Sequence, residues 1–315
     1  MDRMNASRTG IVVFGAVFVD VKGYPLAQYI PAGRNVGRVV QVHGGVSRNV
    51  AEDIANVSLN PTFISVVDDT GMGADVVERL KQHHVNTRYI QTAPDGLGTW
   101  LAIFDNSGDV VASISKRPDL SPIMSVLEEH GDAIFAGADS IVAEIDMEAG
   151  QLDRIFTLAE KYHKEVYAVV SNMSIALERR SLLKKTGCIV CNDQEAGLLF
   201  SEDLSGRSPE EIRAFLVEKI SQAQFRRMII TMGENGSVYA ENGGESGICP
   251  AIKVDVIDTT GAGDAFFAGV AIGLTYGKSL RSACEIGTKL AASVIATVES
   301  VCPPFRPEEF NIHPE

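Results

Sequence analysis

Asp258-Thr259-Thr260-Gly261-Ala262-Gly263-Asp264-Ala265-Phe266-Phe267-Ala268-Gly269 is the stretch on which the reading of this chain turns. The alternating apolar segment before it, 252–257, reads as a strand, and the apolar run after it, as far as Leu274, reads as a helix. Gly261, Ala262 and Gly263 have minimal side chains, so consecutive backbone N–H groups can converge at the start of that helix. A turn of this kind makes an anion hole for a phosphate, reinforced by the helix dipole. Asp264 falls in the first helical turn beside the hole, where a carboxylate takes the proton of an attacking hydroxyl. A Gly-x-Gly-Asp turn alone is equally a plain strand-to-helix connection with a first-turn acid; the full string favours the chemical reading. It is not a dinucleotide fingerprint, because Phe266 stands three residues after Gly263 where Gly or Ala is needed. Nor does Gly273-Leu274-Thr275-Tyr276-Gly277-Lys278-Ser279 make a P-loop. Its glycines are one residue too close, and it reads as the end of a helix.

Around this stretch, short β-branched runs at 10–14, 62–67, 140–143, 165–170, 188–191 and 227–231 alternate with amphipathic segments. In 47–58, Val50, Ile54 and Val57 fall on one helical face. Segment 209–222 opens with Ser208 as N-cap, Pro209 at the first helical position, and Glu210 and Glu211 in the first turn. Such alternation implies βαβ units and a mostly parallel sheet covered on both faces. Segments 17–42 and 98–115 break the rhythm as β-rich insertions, the second a hairpin around Asp105-Asn106-Ser107-Gly108. They read as a lid over the sheet's carboxyl edge within a single domain, 1–315.

Bulk properties narrow the function. The 315 residues carry a net charge of −13, which argues against nucleic acid as the main partner. No apolar run approaches 18 residues and no leader-like start is present, so a soluble cytoplasmic protein is expected, without a membrane partner. Five scattered cysteines read as reduced thiols. Cys188 and Cys191 have metal-ligand spacing, but three residues apart in a strand they face opposite ways. His83 and His84, at a helix end, read as exposed polar surface.

Four further segments bear on chemistry. In Gly44-Gly45-Val46-Ser47-Arg48-Asn49-Val50-Ala51 the glycines let backbone approach a ligand, and Asn49 can both donate and accept. Asp20 follows the first strand. Asn192-Asp193-Gln194-Glu195 follows another, with Asn192 a natural N-cap, and Thr231-Met232-Gly233-Glu234-Asn235-Gly236 is a strand and glycine turn. Each alone is ordinary turn chemistry.

Together these segments resemble the ribokinase-like (PfkB) carbohydrate kinases. Segment 258–271 is similar to that family's D-T-x-G-A-G-D-x-x-x-A-G signature, and 44–51 to its G-G-x-x-x-N-x-A substrate loop. The resemblance implies a ribokinase-like three-layer α/β/α sandwich with a mostly parallel sheet and a small β-sheet lid. It implies ATP and Mg²⁺, with K⁺ as a further cation that no motif here decides. Asp264 is the implied base, with Gly261, Ala262 and Gly263 as the anion hole. Asp20, Gly44, Gly45, Arg48, Asn49 and Asp146 are implied on the acceptor side. Asn192, Thr231, Gly233 and Gly236 are implied at ATP, Glu195 at the metal, and a homodimer through the lid as the protein partner. The loop 44–51 and Asp20-Val21-Lys22-Gly23 look most like the pseudouridine kinase branch, so 5′-phosphorylation of pseudouridine is the first expectation. In that reading Arg48 reaches over the base. The alternatives are a kinase for ribose, fructose or a phosphorylated hexose, and a non-catalytic sugar-binding relative. Phe18, the segment 113–120 and Glu144-Ile145-Asp146 depart from the branch on the acceptor side.

Overall fold

A strand buried on both faces needs no polar alternation, and Gly10-Ile11-Val12-Val13-Phe14, wholly buried, is such a strand. The structure, a computed structural model, describes residues 8–313. The first seven residues, on which the expectation of no leader rests, lie outside them. In chain order the strands are β1 (Gly10–Phe14), β2 (Phe18–Pro25), β3 (Gly37–Gly44), β4 (Thr62–Ile64), β5 (Val66–Val67), β6 (Gln91–Thr92), β7 (Gly98–Phe104), β8 (Val110–Lys116), β9 (Ala138–Glu144), β10 (Val166–Val169), β11 (Ile189–Asn192), β12 (Arg227–Thr231), β13 (Ser237–Glu241) and β14 (Ser246–Cys249). The helices are α1 (Val46–Asn56), α2 (Gly71–Gln82), α3 (Ile123–Glu129), α4 (Gly131–Gly137), α5 (Ala149–Lys161), α6 (Met173–Glu178), α7 (Arg180–Leu183), α8 (Asp193–Phe200), α9 (Pro209–Ala223), α10 (Ala262–Thr275) and α11 (Leu280–Ile295).

Eight strands form the main sheet in the order β14-β13-β12-β11-β10-β9-β1-β4. From β4 to β12 all neighbours are parallel, and β13 and β14 close the far edge antiparallel. Alternate residues feed two cores. Ile11 and Val13 pack with α1, α10 and α11, while Val12 and Phe14 pack with helices from α3 to α9. Cys188 and Cys191 likewise fall in opposite cores, and all five cysteines are free and buried. The chain adds β4 on one side of β1 and later β9 on the other. The strand order therefore reverses at β1/β9, and a crevice for ligands opens at such a point beyond the strands' carboxyl ends.

A second sheet has the order β3-β2-β7-β8. Asp20 stands opposite Val42 and beside Trp100, and Lys22 stands opposite Val40. These residues therefore share one face, and that face lines the crevice.

Two segments differ from the sequence reading. The run at 62–67 is two strands, because Ser65 turns out of the ladder to donate its hydroxyl to Gly15 O at 2.6 Å. Segment 252–257 is no strand. It leaves the sheet after Pro250 without a partner, which leaves Val256 and Ile257 exposed. Helix α11 ends at Ile295, whose carbonyl accepts from the N–H groups of Ile257 and Asp258. Helix α9 begins as read, with the Ser208 hydroxyl accepting from Glu211 N.

Candidate active site

Gly261 caps α10 at φ 81°, and a Cβ there would lie 2.0 Å from Ser300 O, so only glycine fits. Gly263 has open space around it, with nothing within 4 Å of a Cβ built there. One part of the expected anion hole needs correcting. Ala262 N–H is already used, donating to Thr259 O at 3.2 Å within the turn. Among the described residues the N–H groups of Gly261, Gly263 and Asp264 have no acceptor, so these three are the donors the turn offers.

Asp264 lines the floor of a cleft of ≈ 990 Å³. Its Oδ2 accepts from Asn49 Nδ2 at 2.7 Å, which joins the α10 turn to the substrate-loop helix α1. Loss of hydration pushes its pKa up to about 7, further raised by the negative charges of Glu144 and Asp20. The Asn49 hydrogen bond and the positive charge of Arg48 work against that rise. A carboxylate poised near 7 suits a general base at neutral pH.

The wall that carries the residues expected on the acceptor side is built from β2, β3 and the start of α1. Gly45 caps α1 at φ 96°. Gly44 faces Asp20 so closely that a Cβ would sit 2.8 Å from its Oδ1. Burial raises the Asp20 pKa, opposed by Lys22 and Arg48. Arg48 is not where the sequence reading put it. Its side chain is buried, 1% exposed, ion-paired with Glu52 one helical turn on, and donating to His43 O. With an anionic partner at i+4 inside the helix packing, the guanidinium is held inward at the cleft wall, which Arg48 still lines. Asp146, beyond the end of β9, accepts from Ser171 Oγ at 2.9 Å and from Arg117 at 2.6 Å.

The residues expected at the nucleotide lie farther along the same edge of the sheet. Asn192 ends β11 beside Thr231, which ends β12. Asn192 and Glu195 form a capping box, Asn192 Oδ1 accepting from Glu195 N and Glu195 Oε2 from Asn192 N, each at 2.8 Å. Gly233 and Gly236 sit in the short turn between β12 and β13, both at positive φ. None of these five lines the cleft that holds Asp264.

Some of the residues that shape the site were not legible. Glu144, noticed only as a departure, is a buried hub. It accepts from Ala16 N and Ser47 Oγ, shares the single Ser171 hydroxyl proton with Asp146, and burial raises its pKa. The signal was an acid directly after the apolar run 141–143. Asp53, fully buried, accepts from Cys302 N at 2.7 Å and so pins the 300–302 loop that braces Gly261. His83 is half-buried rather than simple surface, paired with Glu52 at 3.3 Å and with Asn56 at 2.8 Å. Among the described residues no helix is long and apolar enough to cross a membrane.

The pattern of the pfkB family of carbohydrate kinases matches residues 8–304. Guanosine-inosine kinase of Exiguobacterium acetylicum is 34% identical over 292 residues, covering 92% of this chain and 95% of that protein. Pseudouridine kinase of Escherichia coli is 29% identical over 279 residues, 87% of each. Arabidopsis thaliana ribokinase complexed with ribose and ATP superposes with a TM-score of 0.81 at 18% identity, over 96% of this chain and 98% of that one. A putative sugar kinase from Clostridium perfringens gives 0.76 at 25% identity, over 96% and 95%. The three-layer α/β/α sandwich with its mostly parallel sheet is the fold shared with these structures.

Proposed function

The chain belongs to the pfkB family of carbohydrate kinases, phosphotransferases that act on an alcohol group, and from that premise we propose that it phosphorylates the 5′-hydroxyl of a nucleoside with ATP as donor. The observation that carries this is the Asn49–Asp264 hydrogen bond on the floor of a cleft of ≈ 990 Å³. That volume is at the top of the ~300–1,000 Å³ range of small-molecule pockets. It leaves room for a base beyond a pentose. The two relatives named for nucleosides act on guanosine, inosine and pseudouridine, all ribosides. Guanosine and inosine are placed first on the higher identity, and pseudouridine second.

In this reading Asp20 and Asn49 hold the ribose hydroxyls, and Asp264 takes the proton of the 5′-hydroxyl as it attacks. The free N–H groups of Gly261, Gly263 and Asp264 face the transferring phosphoryl and match the charge that spreads over its oxygens. Asn192, Thr231, Gly233 and Gly236 border the nucleotide along the sheet edge. Among the described residues no cluster of His, Cys, Asp or Glu makes a metal cage. Mg²⁺ fits such a site, since it keeps several waters and is held by one or two carboxylates plus substrate phosphates. Glu195, with one oxygen engaged in the capping box and the other available, is the carboxylate that would hold it, and Mg²⁺ would supply charge neutralisation of the phosphates. Arg48 is assigned a positioning role: its ion pair with Glu52 and its bond to His43 O lock the end of β3 against α1.

A coupled ADP-release assay over guanosine, inosine, pseudouridine, ribose, fructose and fructose 6-phosphate tests the assignment. A nucleoside with the highest kcat/KM supports it. A free or phosphorylated sugar ahead of every nucleoside overturns the acceptor and leaves the phosphotransfer chemistry standing.

A further inference from the structure

We propose that Arg117 and Asp146 together read the base of the nucleoside, Arg117 donating to a ring carbonyl and Asp146 accepting from the ring N–H beside it. This rests on the nucleoside reading above and names the class of base.

The pair joins the two sheets. Arg117 directly follows β8 and is 53% exposed in its side chain, while the Asp146 side chain beyond β9 is 4% exposed. Asp146 Oδ2 has two donors, Arg117 at 2.6 Å and Ser171 at 2.9 Å. Its Oδ1 is buried and, among the described residues, lacks a well-formed hydrogen bond, with the Asn172 backbone N–H close enough only to favour the charged carboxylate. A buried polar atom left without a partner is costly and asks for an explanation. The loop that carries it is held rigid from behind, where Arg179 donates to the carbonyls of Ile145 and Met147. A carboxylate short of one partner and covered by an exposed arginine can take a donor that arrives with a ligand once the Arg117 side chain swings toward that ligand.

The cavities point the same way. The main cleft and a smaller hollow of ≈ 240 Å³ share this pair as a common wall, together with Phe18. A ribose over Asp264 and Asn49 would direct its base along the cleft toward Arg117. Phe18 offers a flat ring there, seated where a Cβ on Gly98 would come within 2.7 Å of it. That accounts for an aromatic at a position where the sequence departs from its branch.

Arginine only donates and an ionised carboxylate only accepts. Side by side they complement a lactam, a ring N–H next to a C=O. Guanine, hypoxanthine and uracil carry that edge. Adenine and cytosine present a ring nitrogen lone pair next to an amino group, so Asp146 would face a lone pair and Arg117 a donor. A site built to hydrogen-bond one pattern rejects the other strongly, by about a hundredfold or more in kcat/KM.

The test measures kcat/KM for guanosine, inosine, pseudouridine, adenosine, cytidine and ribose, in the wild type and in Asp146→Asn and Arg117→Met. The expected wild type favours the lactam bases over adenosine and cytidine by about a hundredfold or more. In Asp146→Asn that ratio shrinks to about tenfold or less, because an amide can also donate to the lone pair of adenine or cytosine. Arg117→Met, which leaves the buried carboxylate in place, lowers the ratio through a higher KM for lactam nucleosides. Nucleosides accepted without lactam preference, or variants that slow all nucleosides equally, overturn the base-reading pair and leave the nucleoside kinase intact. Turnover of ribose with no nucleoside used overturns the nucleoside reading itself, and the pair with it.

Discussion

Replacing Asn49 with Ala removes the one side-chain donor that the described residues place on the Asp264 carboxylate, the 2.7 Å bond from Nδ2. Burial has already raised this acid from 3.8 to about 7, and the Asn49 bond holds it down. A hydrogen bond to a charged group contributes ~1.5–3 kcal/mol, and 1.36 kcal/mol is one pKa unit. With water entering the space left by the amide, the lower end applies, and the base moves to about 8. The assay is the pH dependence of kcat/KM for the nucleoside at saturating MgATP, which reports the essential groups of the enzyme–MgATP complex before the nucleoside binds. The wild type is expected to gain activity as pH rises through about 7, the Asn49→Ala variant about one unit higher, besides any uniform loss from weaker ribose binding. The sign for stability is opposite. A carboxylate with a raised folded-state pKa binds its proton more tightly folded than unfolded, so its contribution to stability falls as pH climbs from 3.8 to about 7. An ascending limb at the same pH in both proteins would refute the claim that Asn49 tunes the base.

The two glycines of the turn should behave differently. Gly261→Ala, at φ 81° and against Ser300 O, is expected to destabilise the fold by about 1–3 kcal/mol. Gly263→Ala, in open space, should leave urea stability unchanged or up to ~1 kcal/mol higher while lowering kcat. Equal stability losses in the two variants would count against the distinction. Arg48→Ala is expected to cost about 3 kcal/mol, the low end for breaking a buried pair because Glu52 keeps Arg79 and His83, without a selective rise in nucleoside KM. A nucleoside KM raised at undiminished stability would put Arg48 back over the substrate. Glu195→Gln should raise the Mg²⁺ concentration for half-maximal activity, and an unchanged titration would remove Glu195 from the metal.

The sequence was most legible where chemistry and backbone coincide. Gly261-Ala262-Gly263-Asp264 announced a turn and a first-turn acid, since few residues tolerate that backbone. The alternation of β-branched runs and amphipathic helices announced a parallel sheet, because burial on both faces demands it. What remained hidden depends on neighbours distant in the chain. Segment 252–257 has a strand's composition, yet no strand lies beside it to pair with. Arg48 has the position of a ligand contact, yet Glu52 lies one turn on and draws it inward. Ala262 is as small as the turn needs, yet its N–H is used by Thr259 O. Glu144 and Asp146 could be placed at a strand end, but their partners, Ser47, Ser171 and Arg117, come from three other elements.

The central claim, that Asp264 is the base of a phosphoryl transfer in this cleft, is tested most directly by Asp264→Asn. The measurement is kcat with the preferred nucleoside, taken together with calorimetric affinities for that nucleoside and for ATP. The variant is expected to bind both within a few-fold of the wild type while kcat falls by ~10²–10⁴, the usual span for losing a general base. Turnover near that of the wild type would contradict the account.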